Sequence, residues 1–289
     1  MTRTRFKRGE FSPGGTSSLA RYEETDPLFG NGQPAHVYRP RAFVPLTQKP
    51  VLAITGLMAE ARVAAGPGVR VVSSGGCCTE LAATLSEAAV ADNVCAMISF
   101  GISGGLAPGL PAGSVLIARN ILTEAGESFE SDRSWSQRLA KVLDAPIVDI
   151  AGVDAPLIDP QKKRSLHVST GAVAVDMESH VGARAARRHG LPFVALRVIA
   201  DPAERRLPHA ASVAMRPDGT LALGAILSSL LREPRQMPLL AHAAIDAGAA
   251  FASLLRCRKM VAAGLGFGDF GELLLDVPRE DVIGGSLPV

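Results

Sequence analysis

The reading turns on residues 172–202, AVAVDMESHVGARAARRHGLPFVALRVIADP, which divide into strand, helix and strand with an acid at each joint. Ala172–Val175 is a short apolar run of strand type. Asp176 is placed to cap a helix, and Glu178 falls in its first turn, where the helix dipole favours a carboxylate. The helix is expected to reach about His189. Arg184, Arg187, Arg188 and His189 gather toward its C-terminal end, Gly190 fits the position just beyond, and Pro192 forbids continuation. Phe193–Ala200 is almost continuously apolar, as in a strand buried on both faces, and Asp201 with Pro202 ends it. Ligands of open α/β sheets bind outside the carboxyl ends of strands, so Glu178 and Asp201 stand where a site is expected.

The same alternation continues outward. VLAIT (51–55) reads as a strand leading into a helix over GLMAEARVA, and Val69–Ser73 as a second strand. Gly75 and Gly76 suggest a tight turn into a helix at about Thr79–Val90, and Val94–Phe100 is a third strand. It runs into the glycine-dense GISGGLAPGLPAG, read as a turn, and then SVLIA (114–118), a fourth strand. Helices are expected over Ser134–Leu143, Gln161–Val168, Thr220–Leu231 and Pro238–Lys259, with Pro156 and Pro160 in the loop between the first two. This order predicts an α/β fold of three layers, a central, largely parallel mixed sheet flanked by helices. Residues 1–49, rich in Gly, Pro, Ser and charge, are expected to be a disordered extension; 50–260 form the domain, helical from 220, and 261–289 a peripheral tail.

Lys and Arg total 30 against 28 Asp and Glu, which gives no case for a nucleic-acid partner. The four cysteines make no CxxC or Cys/His ligand spacing, so no metal site is expected and a reduced cytosol is the simplest compartment. The basic N-terminus lacks the apolar core of a secretory signal, and no apolar run approaches the roughly 18 residues that span a bilayer.

Several stretches carry chemistry. In Gly101-Ile102-Ser103-Gly104-Gly105 the missing side chains let backbone N–H groups approach a ligand, although a tight turn at a sheet edge explains the spacing equally well. Glu178 offers two acceptor oxygens that suit a vicinal diol, or is a helix-start acid; Met177 suits packing under a sugar, or is a core residue. Arg197, mid-strand among apolar neighbours, needs an ion-pair partner, with Glu178 or Asp201 the candidates.

Three of these stretches resemble the nucleoside phosphorylase/nucleosidase family of purine enzymes: AVDMES (174–179), RVIADPA (197–203) and SFGISGGLAPGLPAGSVLIA (99–118). The resemblance implies that Asp201 protonates the purine at N7 as an oxocarbenium-like ribosyl centre develops. It implies that Glu178 and Met177 bind the sugar and that Gly101, Ser103 and Gly104 cradle the ribose or a phosphate. The family has Ser before this Asp, and here the residue is Ala200. Water-using members carry an acidic cluster after the first strand; here Glu60 remains, with Ala61 at the usual place of the water-activating Glu. Either Glu60 serves with a one-residue shift, or hydrolysis is not the native reaction and Glu60 is a solvated helix acid. The phosphorolytic branch has an Arg before the Gly-rich segment and a Ser or Thr within it, where this chain has Ser99 and Ile102; Arg62 is a candidate substitute.

Within the family the chain is most similar to the hopanoid-associated phosphorylases, over stretches such as TGLMAEARVAAGPGVRV, AGVDAPL and LREPRQMPLLAHAAIDAGAAFASLLRCRK. That resemblance implies release of adenine from adenosylhopane in a bacterium, with Val153, Pro156 and Leu157 beside the purine. The large apolar 5′ group needs a channel, for which the C-terminal helices are expected to supply a wall and peripheral contact with the inner membrane. A cytoplasmic homo-oligomer is implied, with no cofactor and with phosphate entering only as a co-substrate. A methylthioadenosine/S-adenosylhomocysteine nucleosidase and a non-catalytic nucleoside- or lipid-binding protein are the competing readings.

Overall fold

A computed structural model of the chain describes residues 37–38, 49–74, 78–206, 237–261 and 263–268. In chain order the described elements are strands β1 (Val37–Tyr38) and β2 (Val51–Thr55), helix α1 (Met58–Ala64), β3 (Val69–Ser73), α2 (Cys78–Ala91), β4 (Ala96–Gly105), β5 (Val115–Thr123) and β6 (Ser128–Glu130). Then come α3 (Arg133–Leu143), β7 (Ile147–Gly152), α4 (Pro160–Thr170), β8 (Ala174–Asp176), α5 (Ser179–His189), β9 (Phe193–Asp201), α6 (Met237–Met260) and a 3-10 turn (Ala263–Gly266).

The strands form one mixed sheet flanked by helices on both faces, as expected. Residues of β2 alternate between the two faces yet are all buried: Leu52 and Ile54 pack beneath α2 and α5, Val51 and Ala53 beneath α1, α3 and α6. In β9 Val194, Leu196 and Val198 join the second face, while Phe193, Ala195 and Ile199 join the first. Burial on both faces is why these strands read as unbroken apolar runs.

The sheet departs from the open form at β4. Residues Met97–Gly104 of β4 pair in parallel with β9, and Gly104 and Gly105 also pair antiparallel with β8. Since β8 joins β7, β7 joins β5, and β5 joins β9, five strands close into a ring beside the open β1-β3-β2 edge. The register shifts between Ser103 and Gly104, where the chain turns from one partner to the other. Residues 101–105, read as a turn, are thus strand. With no side chains at Gly104 and Gly105, the strand bends without losing its ladder.

Strands β6 and β7 were not expected from the sequence. Helix α6 matches the expected helix over 238–259, whereas the helix at 220–231 and the turn at Gly75-Gly76 lie outside the described residues. By length and composition alone α6 is apolar enough to cross a bilayer, which the sequence reading had not found for any segment. Asp246, Ala250, Leu254 and Cys257, however, form a stripe at helical spacing that is buried in the domain. Beyond it the Trp135 indole N–H donates to the Leu265 carbonyl at 3.0 Å, and Phe267 meets the same ring edge-on. Residues 263–268 therefore belong to the packed domain rather than to a peripheral tail. In the stretch expected to be an N-terminal extension, Val37–Tyr38 pairs with β3.

Candidate active site

The ends of β4, β8 and β9 meet at one cavity of about 710 Å³. Asp201 and Glu178 both line it, as do Glu60, Met177, Ser103, Gly104, Val153, Pro156 and Leu157. Of the residues expected at the site, Gly101 is the one not on the cavity wall. A methyl group there would stand 2.5 Å from Glu60 Oε1 and 2.8 Å from Arg197 Nη1, so its bareness makes room for those side chains rather than for a ligand.

The floor is a buried charge cluster centred on Arg197, which has no solvent exposure. Its Nε lies 3.0 Å from Asp176 Oδ2 and its Nη2 3.3 Å from Glu178 Oε2. Nη1 donates to the Ile102 carbonyl at 3.3 Å, and Nη2 donates to the Ser99 hydroxyl. The expected pairing of Arg197 with Glu178 is present, and that with Asp201 is not: Asp176 takes the second place. Ser99, standing where the phosphorolytic branch carries Arg, thus receives a guanidinium from the neighbouring strand. Arg62 is exposed on α1 and does not line the cavity, so it is no substitute.

Asp176 also caps α5. Its Oδ1 accepts from the backbone N–H of Glu178 at 2.9 Å and of Ser179 at 2.6 Å. Glu178 makes no capping bond, which leaves its carboxylate to the cavity, where Oε1 accepts from the Ser74 hydroxyl at 3.3 Å. Gly190 closes α5 in the left-handed conformation, φ 63°, that its sequence position called for.

Glu60 is not a solvated acid. It is almost fully buried; Oε2 accepts from the backbone N–H of Gly56 at 2.8 Å and of Leu57 at 2.7 Å, and Oε1 from that of Ile102 at 2.7 Å. It ties the start of α1 to β4 while still reaching the cavity. Burial pushes its carboxyl up, and Arg197 with these N–H groups restrains the rise. Burial likewise raises Glu178 to about 7, against the attraction of Arg197 and with the repulsion of Asp176 and Glu60.

Asp201 has a partner that the sequence did not reveal. The fully buried Lys163, on α4, places Nζ 2.5 Å from Asp201 Oδ2. Burial raises the Asp201 carboxyl, and Lys163 holds back part of that rise. The run QKKRS offers three adjacent cations, and no local pattern marks the one that turns inward.

The walls are apolar. Leu57, Val153, Leu157 and Met177 face Leu239, Ala243, Ala247 and Phe251 of α6 across the cavity. The rim is charged: Arg205 pairs with Asp246 at 2.8 Å, and Arg206 lies 3.8 Å from Asp159. Ser103 Oγ is buried without a hydrogen-bond partner among the described residues, which marks it as a donor or acceptor awaiting a ligand. No cluster of three or more metal-ligating side chains exists among the described residues.

A family profile described as "Phosphorylase superfamily" matches residues 45–232. Among solved structures the chain is similar to futalosine hydrolase of Helicobacter pylori, with 17% identity and TM-score 0.50 over 64% of this chain and 98% of that one. It is similar to the 5′-methylthioadenosine/S-adenosylhomocysteine nucleosidase of the same organism, with 18% identity and TM-score 0.50 over 65% and 100%. An S-adenosylhomocysteine nucleosidase of Streptococcus pyogenes gives 14% identity and TM-score 0.51 over 70% and 98%. Compared with the curated proteins, the sequence matches none.

Proposed function

The chain belongs to the phosphorylase superfamily, and from that membership we propose that it cleaves the N-glycosidic bond of a purine nucleoside bearing a large apolar 5′ group, as in adenosylhopane. The observation that carries this reading is that Asp201 and Glu178 face one cavity whose remaining walls are largely apolar. Futalosine hydrolase and the nucleosidases of similar fold, whose names specify nucleoside substrates, support it.

In this reading the Glu178 carboxylate accepts hydrogen bonds from the ribose hydroxyls and Met177 packs beneath the sugar. Val153, Pro156 and Leu157 flank the purine. As the C1′–N9 bond breaks, its electron pair goes to the base and Asp201 delivers a proton to N7. The ribosyl centre, briefly cationic, is captured at C1′ by a nucleophile from the Glu60 side. The electrostatics favour water over phosphate in that role. The carboxyl groups of Glu60, Asp176 and Glu178 crowd the cavity floor, and the nearest cations are already paired, Arg197 with Asp176 and Glu178 and Lys163 with Asp201. A phosphate dianion would meet repulsion with no unengaged cation among the described lining residues. Glu60, raised by burial, accepts the proton that water loses.

The 5′ substituent extends along α6. Pockets for drug-sized ligands span ~300–1,000 Å³, and this cavity lies in the upper half of that range. Apolar side chains exposed on α6, among them Ile245 and Leu255, support peripheral contact with a membrane that holds such a substrate.

The test is base release from adenosine and from 5′-alkyl adenosines, with and without phosphate, reading ribose against ribose 1-phosphate. Free sugar at equal rate in both conditions is expected, and Asp201→Asn in a folded protein should lower release by about 10²-fold or more. Phosphate-dependent release of ribose 1-phosphate would overturn the choice of nucleophile. Release from no purine nucleoside would overturn the activity.

A further inference from the structure

Lys163 has no role in the reaction as set out above, yet it is the cation nearest the proposed acid. A fully buried lysine is rare unless it is paired. Its ammonium donates to Asp201 Oδ2 at 2.5 Å and to the Pro202 carbonyl at 3.1 Å, with the Asp201 and Arg205 carbonyls at 3.4 and 3.5 Å. Every one of these acceptors lies in the five residues that leave the end of β9. Asp201 Oδ1 accepts no hydrogen bond among the described residues, so one carboxylate oxygen is held and the other is left for a ligand.

The anchoring of Lys163 is equally definite. It sits on the first turn of α4, whose start is fixed by Pro160 and by the Asp159 side chain accepting from the Gln161 N–H at 2.9 Å. That helix follows directly on the loop carrying Val153, Pro156 and Leu157. The wall assigned to the purine and the group assigned to protonate it are therefore joined through one buried ion pair.

We propose that Lys163 is a positioning residue for Asp201, its ammonium pinning one carboxylate oxygen and stabilising the negative charge that Asp201 acquires as it protonates the departing base. The proposal rests on the functional reading above. The proton passes from Asp201 to the purine, and the electrons of the glycosidic bond go with the base. Asp201 is left as a carboxylate beside an ammonium that keeps its own protons throughout. In a buried site such a charge is unfavourable without a cation at contact distance. The other charged groups around Asp201 do not replace it. Arg205, on the segment after β9, and Asp246, on α6, pair with each other at 2.8 Å and act on Asp201 in opposite directions. Glu204 and His242 line the same cavity, and Glu204 accepts from the Gly109 N–H at 2.9 Å.

Two leaving groups distinguish this role from a structural one. Adenine must be protonated to leave well, whereas p-nitrophenolate, from a p-nitrophenyl riboside, leaves without a proton. Lys163→Met is expected to lower kcat for adenine release by about 10²-fold or more with little change in KM, and to lower nitrophenol release at least tenfold less. Lys163→Arg should retain more adenine release than Lys163→Met. In an Asp201→Asn background, Lys163→Met should have no further effect on adenine release, because the group it acts through is gone. Should Lys163→Met fold poorly, the comparison of leaving groups is made with Lys163→Arg, whose loss should again be larger for adenine. Equal loss on both leaving groups in a folded variant, or additive losses in the double variant, would overturn the proposal. A wild-type protein that cleaves neither substrate would overturn the functional reading itself.

Discussion

Two acids two positions apart divide two tasks. Asp176 caps α5 and pairs with Arg197; Glu178 makes no capping bond and lines the cavity. The sequence assigns the cap to Asp176 and the first turn to Glu178, but it does not show which of the two acids takes part in an ion pair and which faces a ligand. What separates them is Arg197, 21 residues on from Asp176 and fully buried, whose position across the sheet no local pattern encodes. The same limit hid Lys163 and misplaced Gly101. Gly101 is glycine because Glu60 and Arg197 occupy the space where its methyl group would stand. Gly101→Ala should displace the Glu60 carboxylate from the Gly56, Leu57 and Ile102 N–H groups and destabilise the fold by about 1–3 kcal/mol, the cost of unsatisfied buried donors. Denaturant titration measures it. A variant as stable as the parent would mean that Glu60 moves freely and does not hold α1 to β4.

At the scale of elements, α6 has two faces with different work. One stripe is core, so removing the helix would unfold the domain and reveal nothing about substrate. The other supplies Leu239, Ala243, Ala247 and Phe251 to the cavity. Ala247→Phe narrows the cavity on that side without touching the charged floor. It should raise KM for an adenosine with a long apolar 5′ substituent by about tenfold, the loss expected when one side chain of a hydrophobic pocket is fitted badly, and leave adenosine nearly unchanged. Equal change on both substrates would place the 5′ group elsewhere. The helix itself was legible from its length and apolar content, β2, β3 and β9 from their short apolar runs, and α4 and α5 from the Pro, Gly and Asp at their ends. Strands β6 and β7 were not. β6 has three residues, and β7 (Ile147–Gly152) carries Asp149, which pairs with Arg119 at 3.1 Å. A polar residue satisfied across a sheet interrupts the apolar signal without interrupting the strand. The extension of β4 through 101–105 was concealed by glycine, whose turn-forming reputation outweighs its tolerance in a bent strand.

For the molecule as a whole, the charge cluster sets stability against function. Glu60, Asp176 and Glu178 surround a single buried guanidinium, so full ionisation leaves the cluster net negative in a low-dielectric place. Glu178 registers the conflict: its carboxyl stands at about 7 in the fold against 4.5 for an ordinary glutamate. The sign follows from linkage. Below the ordinary value the side chain is protonated in both folded and unfolded chains, and its contribution is fully present. As pH rises from there toward 7, the unfolded chain ionises while the folded one resists, so this contribution is lost across that window. The loss is up to ~3 kcal/mol, at about 1.4 kcal/mol per pH unit of displacement. Glu178→Gln removes this slope. The variant should be more stable relative to the wild type at pH 8 than at pH 5, by about 1–3 kcal/mol, in paired denaturant titrations. In the same protein, base release should fall by about 10²-fold or more, as a neutral amide cannot replace the carboxylate that orients the sugar. If the two proteins kept the same stability difference at both pH values, Glu178 would be ionised as freely in the fold as in the unfolded chain. A gain in stability at pH 8 joined to a loss of base release would instead mark Glu178 as a residue held at a cost to the fold for what it does to a ligand.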